Sequence, residues 1–146
     1  MFRTCLLLLL SMGCLSTYAQ QPSSFLEQIQ ATKAIEDHAV ALSTLDRLIT
    51  VAGELGYVDT VALLHHRKGV TYSKMDDMEA AIAATQKAIA LRADLADTTG
   101  LGQSYYNLAY FYEWNNQARQ ALEAFERAVQ LGDGPKNTFF FYAIIP

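Results

Sequence analysis

The stretch "YYNLAYFYEW", Tyr105 to Trp114, puts six aromatic side chains into ten residues. It admits three readings: a ligand-stacking platform, a buried strand, or the packed stripe of a helix. Spacing decides between them. Tyr105, Leu108, Ala109 and Tyr112 recur at i, i+3, i+4 and i+7, whereas strand alternation fails because Tyr105 and Tyr106, like Leu108 and Ala109, are neighbours. After the polar break "EWNNQ" the helical period returns in Ala121, Leu122, Phe125, Ala128 and Val129, which predicts a second helix.

The pair has an echo. Sliding the chain by forty residues lays Gly69, Tyr72, Ala81, Ala84, Ala88, Ile89 and Leu91 over Ala109, Tyr112, Ala121, Ala124, Ala128, Val129 and Leu131 without a gap. A further slide reaches Ile29, Thr32, Ala41, Leu45, Leu48 and Ile49, which keep the apolar or small character at most places but lack the Tyr. Two good copies and one degenerate copy follow. In the middle copy Val61, His65, Gly69 and Tyr72 share a stripe, "SKMDDM" turns the chain, and Ala81, Ile82, Thr85, Ala88 and Ile89 form the second helix. The recurring small residues have a physical purpose, since helix backbones approach closely only where side chains are short.

On these residues the chain resembles the tetratricopeptide repeats. Tyr105, Leu108, Ala109, Tyr112, Ala121, Phe125 and Ala128 follow that family's spacing, with Ala for its Gly and Asp133 where it usually has Pro. The middle copy matches at Gly69, Tyr72, Ala81 and Ala88 and departs at His65, Lys68 and Thr85. The forty-residue offset exceeds the usual repeat of about thirty-four residues, and the additional residues fall in "ELGYVDTV" and "DLADTTGL", as in longer-helix variants from bacterial signalling proteins. Armadillo and HEAT arrays have a similar length but lack this Gly, Tyr, Ala, Ala spacing.

The resemblance implies an all-α fold, an alpha-alpha superhelix of antiparallel helix pairs over residues 23–133, with repeats near 23–60, 61–100 and 101–133. It implies a non-catalytic scaffold that binds a peptide or partner protein in a concave groove lined by first helices. Carried over position by position, the groove residues are His66, Arg67, Val70 and Ser73 in the middle copy and Gln103, Tyr106, Asn107, Tyr110 and Glu113 in the last. Tyr105 and Tyr112 are then packing residues, Tyr106 and Tyr110 face a ligand or cover neighbouring helices, and Phe111 and Trp114 are open to either assignment. The alternative is a small-molecule-binding or enzymatic domain built in the same groove.

Chemistry-bearing motifs point away from catalysis. The sequence contains no Gly-rich phosphate loop, no His-Glu-x-x-His and no Gly-x-Ser-x-Gly. His65 and His66 diverge by about 100° on a helix and so make a poor shared metal site, leaving His65 structural and His66 solvated or groove-facing. His38, after Glu36 and Asp37, belongs at a surface helix start. The acidic "DDME", Asp76 to Glu79, is expected to cap the following helix rather than to hold a cation. No metal or other cofactor is expected. The net charge of −4, with scattered basic residues, argues against nucleic acid.

The ends are of different material. "MFRTCLLLLLSMGCLSTYAQ" reads as a secretory signal peptide over residues 1–19, cut after Ala19 and too short for a permanent span. Export to the periplasm or medium is expected. Alternatively "LSMGC" is a lipobox that anchors a lipoprotein at Cys14, or the segment stays on as an uncleaved anchor. At the other end, residues 134–146 form an apolar tail, in which Phe139, Phe140, Phe141, Ile144 and Ile145 are expected to fold back or to mediate self-association.

Overall fold

A computed structural model describes residues 24–132; the expected signal segment, Cys14 and the apolar tail lie outside the described residues. All regular structure among the described residues is helical: α1 (Phe25–Ala31), a 3-10 helix (Thr32–Ala34), α2 (His38–Glu54), α3 (Val58–Ser73), α4 (Met78–Asp94), α5 (Thr98–Trp114) and α6 (Ala118–Gln130). The chain divides into two compact units between Ala31 and Thr32. The described part of the first unit is Ser24 with α1, opened by a reciprocal capping box: Glu27 N–H donates to Ser24 Oγ and Ser24 N–H donates to Glu27 Oε2. Where a first helix of full length belongs in the degenerate copy, the sequence thus supplies a seven-residue α1 and a 3-10 turn.

In the second unit α3 packs on α4, α5 on α6, α4 on α5 and α2 on α3, a solenoid of helical hairpins. The connections are short because each helix ends in the same way. Gly56, Asp76, Ala96 and Asn116 adopt the left-handed conformation, with φ of 73°, 59°, 54° and 57°. The next residue reaches back to the helix just ended: Tyr57 N–H donates to Ala52 O, Asp77 to Tyr72 O, Asp97 to Arg92 O and Gln117 to Tyr112 O. These are Schellman closures, and they satisfy carbonyls that a helix end would otherwise leave without partners. Three helices then start on an Asp side chain: Asp37 accepts from Ala39 and Val40 N–H, Asp77 from Ala80 and Asp97 from Gly100. The acidic "DDME" is therefore a capping segment through Asp77. First helices begin at Val58 and Thr98, a little before the expected Val61 and Leu101, because each follows its left-handed turn directly.

The core lies along the small-residue register. Ala41, Ala81, Ala88, Ala109, Ala121, Ala124 and Ala128 are all buried. Positions 45, 85 and 125, one place across the forty-residue slide, are Leu, Thr and Phe, each at most 2% exposed. Gly69 is required by the hairpin: a Cβ there would lie 2.3 Å from Thr85 Oγ1 and 3.1 Å from Ala81 O. Phe111 is buried among Ala81, Ile82, Leu108, Ala109, Ala124 and Phe125, and Tyr72, Tyr105, Tyr106 and Tyr112 cover that cluster from its edges. Helical stripe and packed aromatic core are thus one feature.

Candidate functional site

The first helices α3 and α5 meet through a polar chain that starts in α4. Arg92, 5% exposed, stands in a core register, since the forty-residue slide places it over Ala52, which is fully buried. Its guanidinium donates to Gly100 O and, at 2.7 Å, to Ser104 Oγ, and pairs with the α5 cap Asp97 at 3.6 Å. Gly100 leaves the room: a Cβ there would lie 2.7 Å from Arg92 Nε. Ser104 is fully buried and lies 3.2 Å from His66 Nδ1. Asn107 Nδ2 can only donate, so at 3.5 Å His66 Nε2 is the acceptor and the imidazole hydrogen sits on Nδ1, donating to Ser104 Oγ, whose second lone pair accepts from Arg92.

Burial, with Arg92 and Arg67 nearby, lowers the His66 pKa from 6.5 to about 4, so the ring is neutral at physiological pH. His65 is lowered as well, first by burial and then by Lys87 and Lys68, and its Nδ1 is a buried atom without a hydrogen-bond partner. A Ser–His pair invites comparison with a nucleophile and its base. Ser104, however, is inaccessible and held by a guanidinium, so no substrate carbonyl reaches it.

The groove residues expected from the sequence fall into two clefts. His66, Arg67, Val70 and Gln103 line the larger, about 380 Å³, between the 3-10 helix, α2 and α3. Ser73 and Tyr110 line the smaller, about 250 Å³, together with Asp76, Met78, Phe111 and Trp114. Asn107 lies between them against His66. Glu113 is half-buried and lines neither cleft. Tyr106 leans on the core and meets the Tyr110 ring at 5.9 Å between centroids, tilted by 53°. The two open assignments separate: Phe111 is core, whereas Trp114 is 66% exposed and Tyr110 44%. His66, expected to be solvated or groove-facing, is partly buried and lines the larger cleft, with its Nδ1 against Ser104.

The charged wall of the larger cleft is entirely basic: Lys33, Arg67 and Lys74, with His38 and His66 beside them. Arg67 is fixed by donating to Thr32 Oγ1 at 2.9 Å, and its partial burial lowers its pKa while it stays a cation. Arg92 and Ser104 are the residues that sequence reasoning missed. The one signal for Arg92 was its register over the buried Ala52, and nothing local marks Ser104 as its partner.

Stacked helical hairpins with small residues at each crossing and two clefts along their first helices define a repeat scaffold of the kind used for protein recognition. The tetratricopeptide-repeat family model matches residues 62–95 and 102–131, which cover most of the α3–α4 and α5–α6 hairpins and support a tetratricopeptide-repeat protein. Such repeats generally mediate protein–protein interaction, and the α2 segment lies outside the match. No curated protein matches the chain.

Proposed function

We propose that the chain is a non-catalytic scaffold that binds a peptide or partner protein along the first-helix face of α3 and α5. The observation that carries this reading is the pair Tyr110 and Trp114, one turn apart on α5 and both exposed beside Ser73 of the neighbouring hairpin. Large aromatics beside a cleft are frequent anchors of recognition, each worth about 2 kcal/mol or more when it is a hot spot. Tyr106 supports them from the core side, and in this reading Asn107, which lies against His66, bonds a ligand backbone. Trp114 is also the single tryptophan of the chain, so its emission reports occupancy of this face directly.

Peptides selected from a displayed library against the wild-type chain should shift Trp114 emission on binding. They should lose at least tenfold in affinity for Tyr110→Ala, while the helical circular dichroism is unchanged. Selected peptides that bind the variant equally well would remove the proposal, and loss of helicity would show that Tyr110 is core instead.

Export, from an N-terminus that has the pattern of a signal peptide, is part of the same proposal and fits an exported signalling or regulatory protein. Mass spectrometry of the mature chain should find Gln20 first; a diacylated Cys14 would establish the lipoprotein alternative.

A further inference from the structure

The turns between hairpins carry a duplicated surface that neither first-helix cleft uses. α2 joins α3 and α4 joins α5 through tight turns, and α3 and α5 run parallel, since His66 lies beside Ser104 and Asn107. Both turns therefore lie at one end of the stack, and residues 53–59 and 93–99 are exposed without interruption. Each turn presents the same pair: a carboxylate on the last residue of its helix, Glu54 or Asp94, then a C-cap leucine, Leu55 at 53% exposure or Leu95 at 43%. Val58, also exposed, and Asp59 extend the pair on α3. The two stretches hold four carboxylates and no Lys or Arg. Two of these acids have local work, as Asp97 caps α5 and Asp59 stands in the first turn of α3. Glu54 and Asp94 have none: they stand at the negative end of a helix macrodipole, where a cation is favoured, and no cation pairs with them among the described residues. A local rule broken twice at equivalent positions, beside a half-exposed leucine each time, marks a surface shaped by something other than stability.

We propose that this edge docks a basic amphipathic helix of a partner protein. Its Lys or Arg side chains meet Glu54 and Asp94, and its apolar stripe lies on Leu55, Val58 and Leu95. Helices in contact lie about 8–10 Å apart and rise about 1.5 Å per residue, so a partner that meets both turns repeats its cation and its apolar residue about every seven residues. A divalent cation would leave the leucines wet, and an anionic membrane surface would be repelled by the carboxylates. This edge does not depend on the peptide reading, because α5 begins here at Thr98 and carries Trp114 about 24 Å away at its other end.

The test is a fluorescence-anisotropy titration of the purified full chain into a labelled two-heptad helical peptide that carries one Lys and one Leu per heptad on the same face. Binding should saturate, weaken as salt is raised, and leave Trp114 emission unchanged. The same peptide with Glu for Lys, or with Ser for Leu, should bind about tenfold or more weakly. The double variant Glu54→Gln, Asp94→Asn keeps the shape of the edge and should weaken the peptide about fourfold or more, at roughly twofold or more for each exposed ion pair. Leu55→Ser with Leu95→Ser should abolish binding while the helical circular dichroism is unchanged, because both side chains are already half exposed. The Tyr110→Ala variant should bind this peptide as the wild type does, which separates failure of this edge from failure of the aromatic face. No saturable binding, equal affinity for the Glu peptide, an unchanged dissociation constant in the double carboxylate variant, or a shift of Trp114 emission would each overturn the proposal. So would a dimer of the chain that Leu55→Ser with Leu95→Ser dissociates, since the edge would then belong to a second copy.

Discussion

His66 should make the solenoid acid-sensitive well above the range in which carboxylates titrate. In the folded chain its pKa is about 4, lowered first by burial and then by Arg92 and Arg67, whereas the unfolded chain takes the ordinary 6.5. Between these values the unfolded state binds a proton that the folded state refuses. Stability is therefore complete above pH 6.5 and declines as the pH falls toward 4, the sign expected for a depressed pKa. With those two values the loss at pH 5 relative to pH 8 is about 2 kcal/mol, approaching about 3 kcal/mol below pH 4. That is a large part of the roughly 5–15 kcal/mol that holds a domain folded.

The molecular reason is specific. A second proton would go on Nε2, where it faces the Asn107 amide nitrogen, itself a donor, and it would place a third cation beside Arg92 and Arg67. Urea unfolding followed at 222 nm, at pH 8 and pH 5, measures the loss in wild type and in His66→Asn. The amide keeps a donor for Ser104 and does not titrate. The wild type should lose about 2 kcal/mol more than the variant over this interval. Equal losses in both would refute the reasoning. An NMR titration that placed the His66 ring near 6.5 in the folded chain would refute it without any variant.

Three further outcomes test the packing. Ala96 holds a left-handed conformation at φ 54°, where Gly56 stands at the equivalent turn, so Ala96→Gly should stabilise by about 0.5–1 kcal/mol in chemical denaturation; no change would mean that the turn relaxes. Thr85 is 1% exposed with a hydroxyl that has no partner, so Thr85→Val should raise stability by about 1 kcal/mol, and a loss would reveal a partner for that hydroxyl. Gly69→Ala gains about 1 kcal/mol of helix propensity but drives a Cβ to 2.3 Å from Thr85 Oγ1, so a net loss of about 1–2 kcal/mol is expected, much reduced in a Thr85→Ala background; thermal unfolding of the four-member cycle checks the coupling.

The helical hairpins were legible because their signal is periodic and duplicated. Gly69 with Ala109 and Ala88 with Ala128 recur at a fixed offset, and small residues at crossings leave few other ways to pack. The Asp77 cap was legible for a local reason, since a carboxylate just before an Ala-rich run has one evident use. The aromatic stretch was only half legible: periodicity separates Tyr105 and Tyr112 from Tyr106 and Tyr110, but Phe111 and Trp114 could be told apart only by their neighbours. Of the polar chain, only the register of Arg92 and the groove-facing reading of His66 were legible; their connection was not. Arg92, Ser104 and His66 come from three helices, and each contact depends on how hairpins are offset, a quantity that no local spacing encodes.

That chain also sets how the two clefts relate. In a solenoid each hairpin contacts only its neighbours, so the first-helix face is as rigid as its weakest junction. At the junction of α3 with α5 the larger anchors are polar: Arg92 fixes Ser104, Ser104 fixes His66, and His66 lies beside Asn107. His66 forms part of the larger cleft's wall, while Asn107 is one turn from Tyr110. Protonation of His66 would therefore be felt on both sides of the junction, because it brings a third cation beside Arg92 and Arg67 and sets an N–H against the Asn107 amide nitrogen.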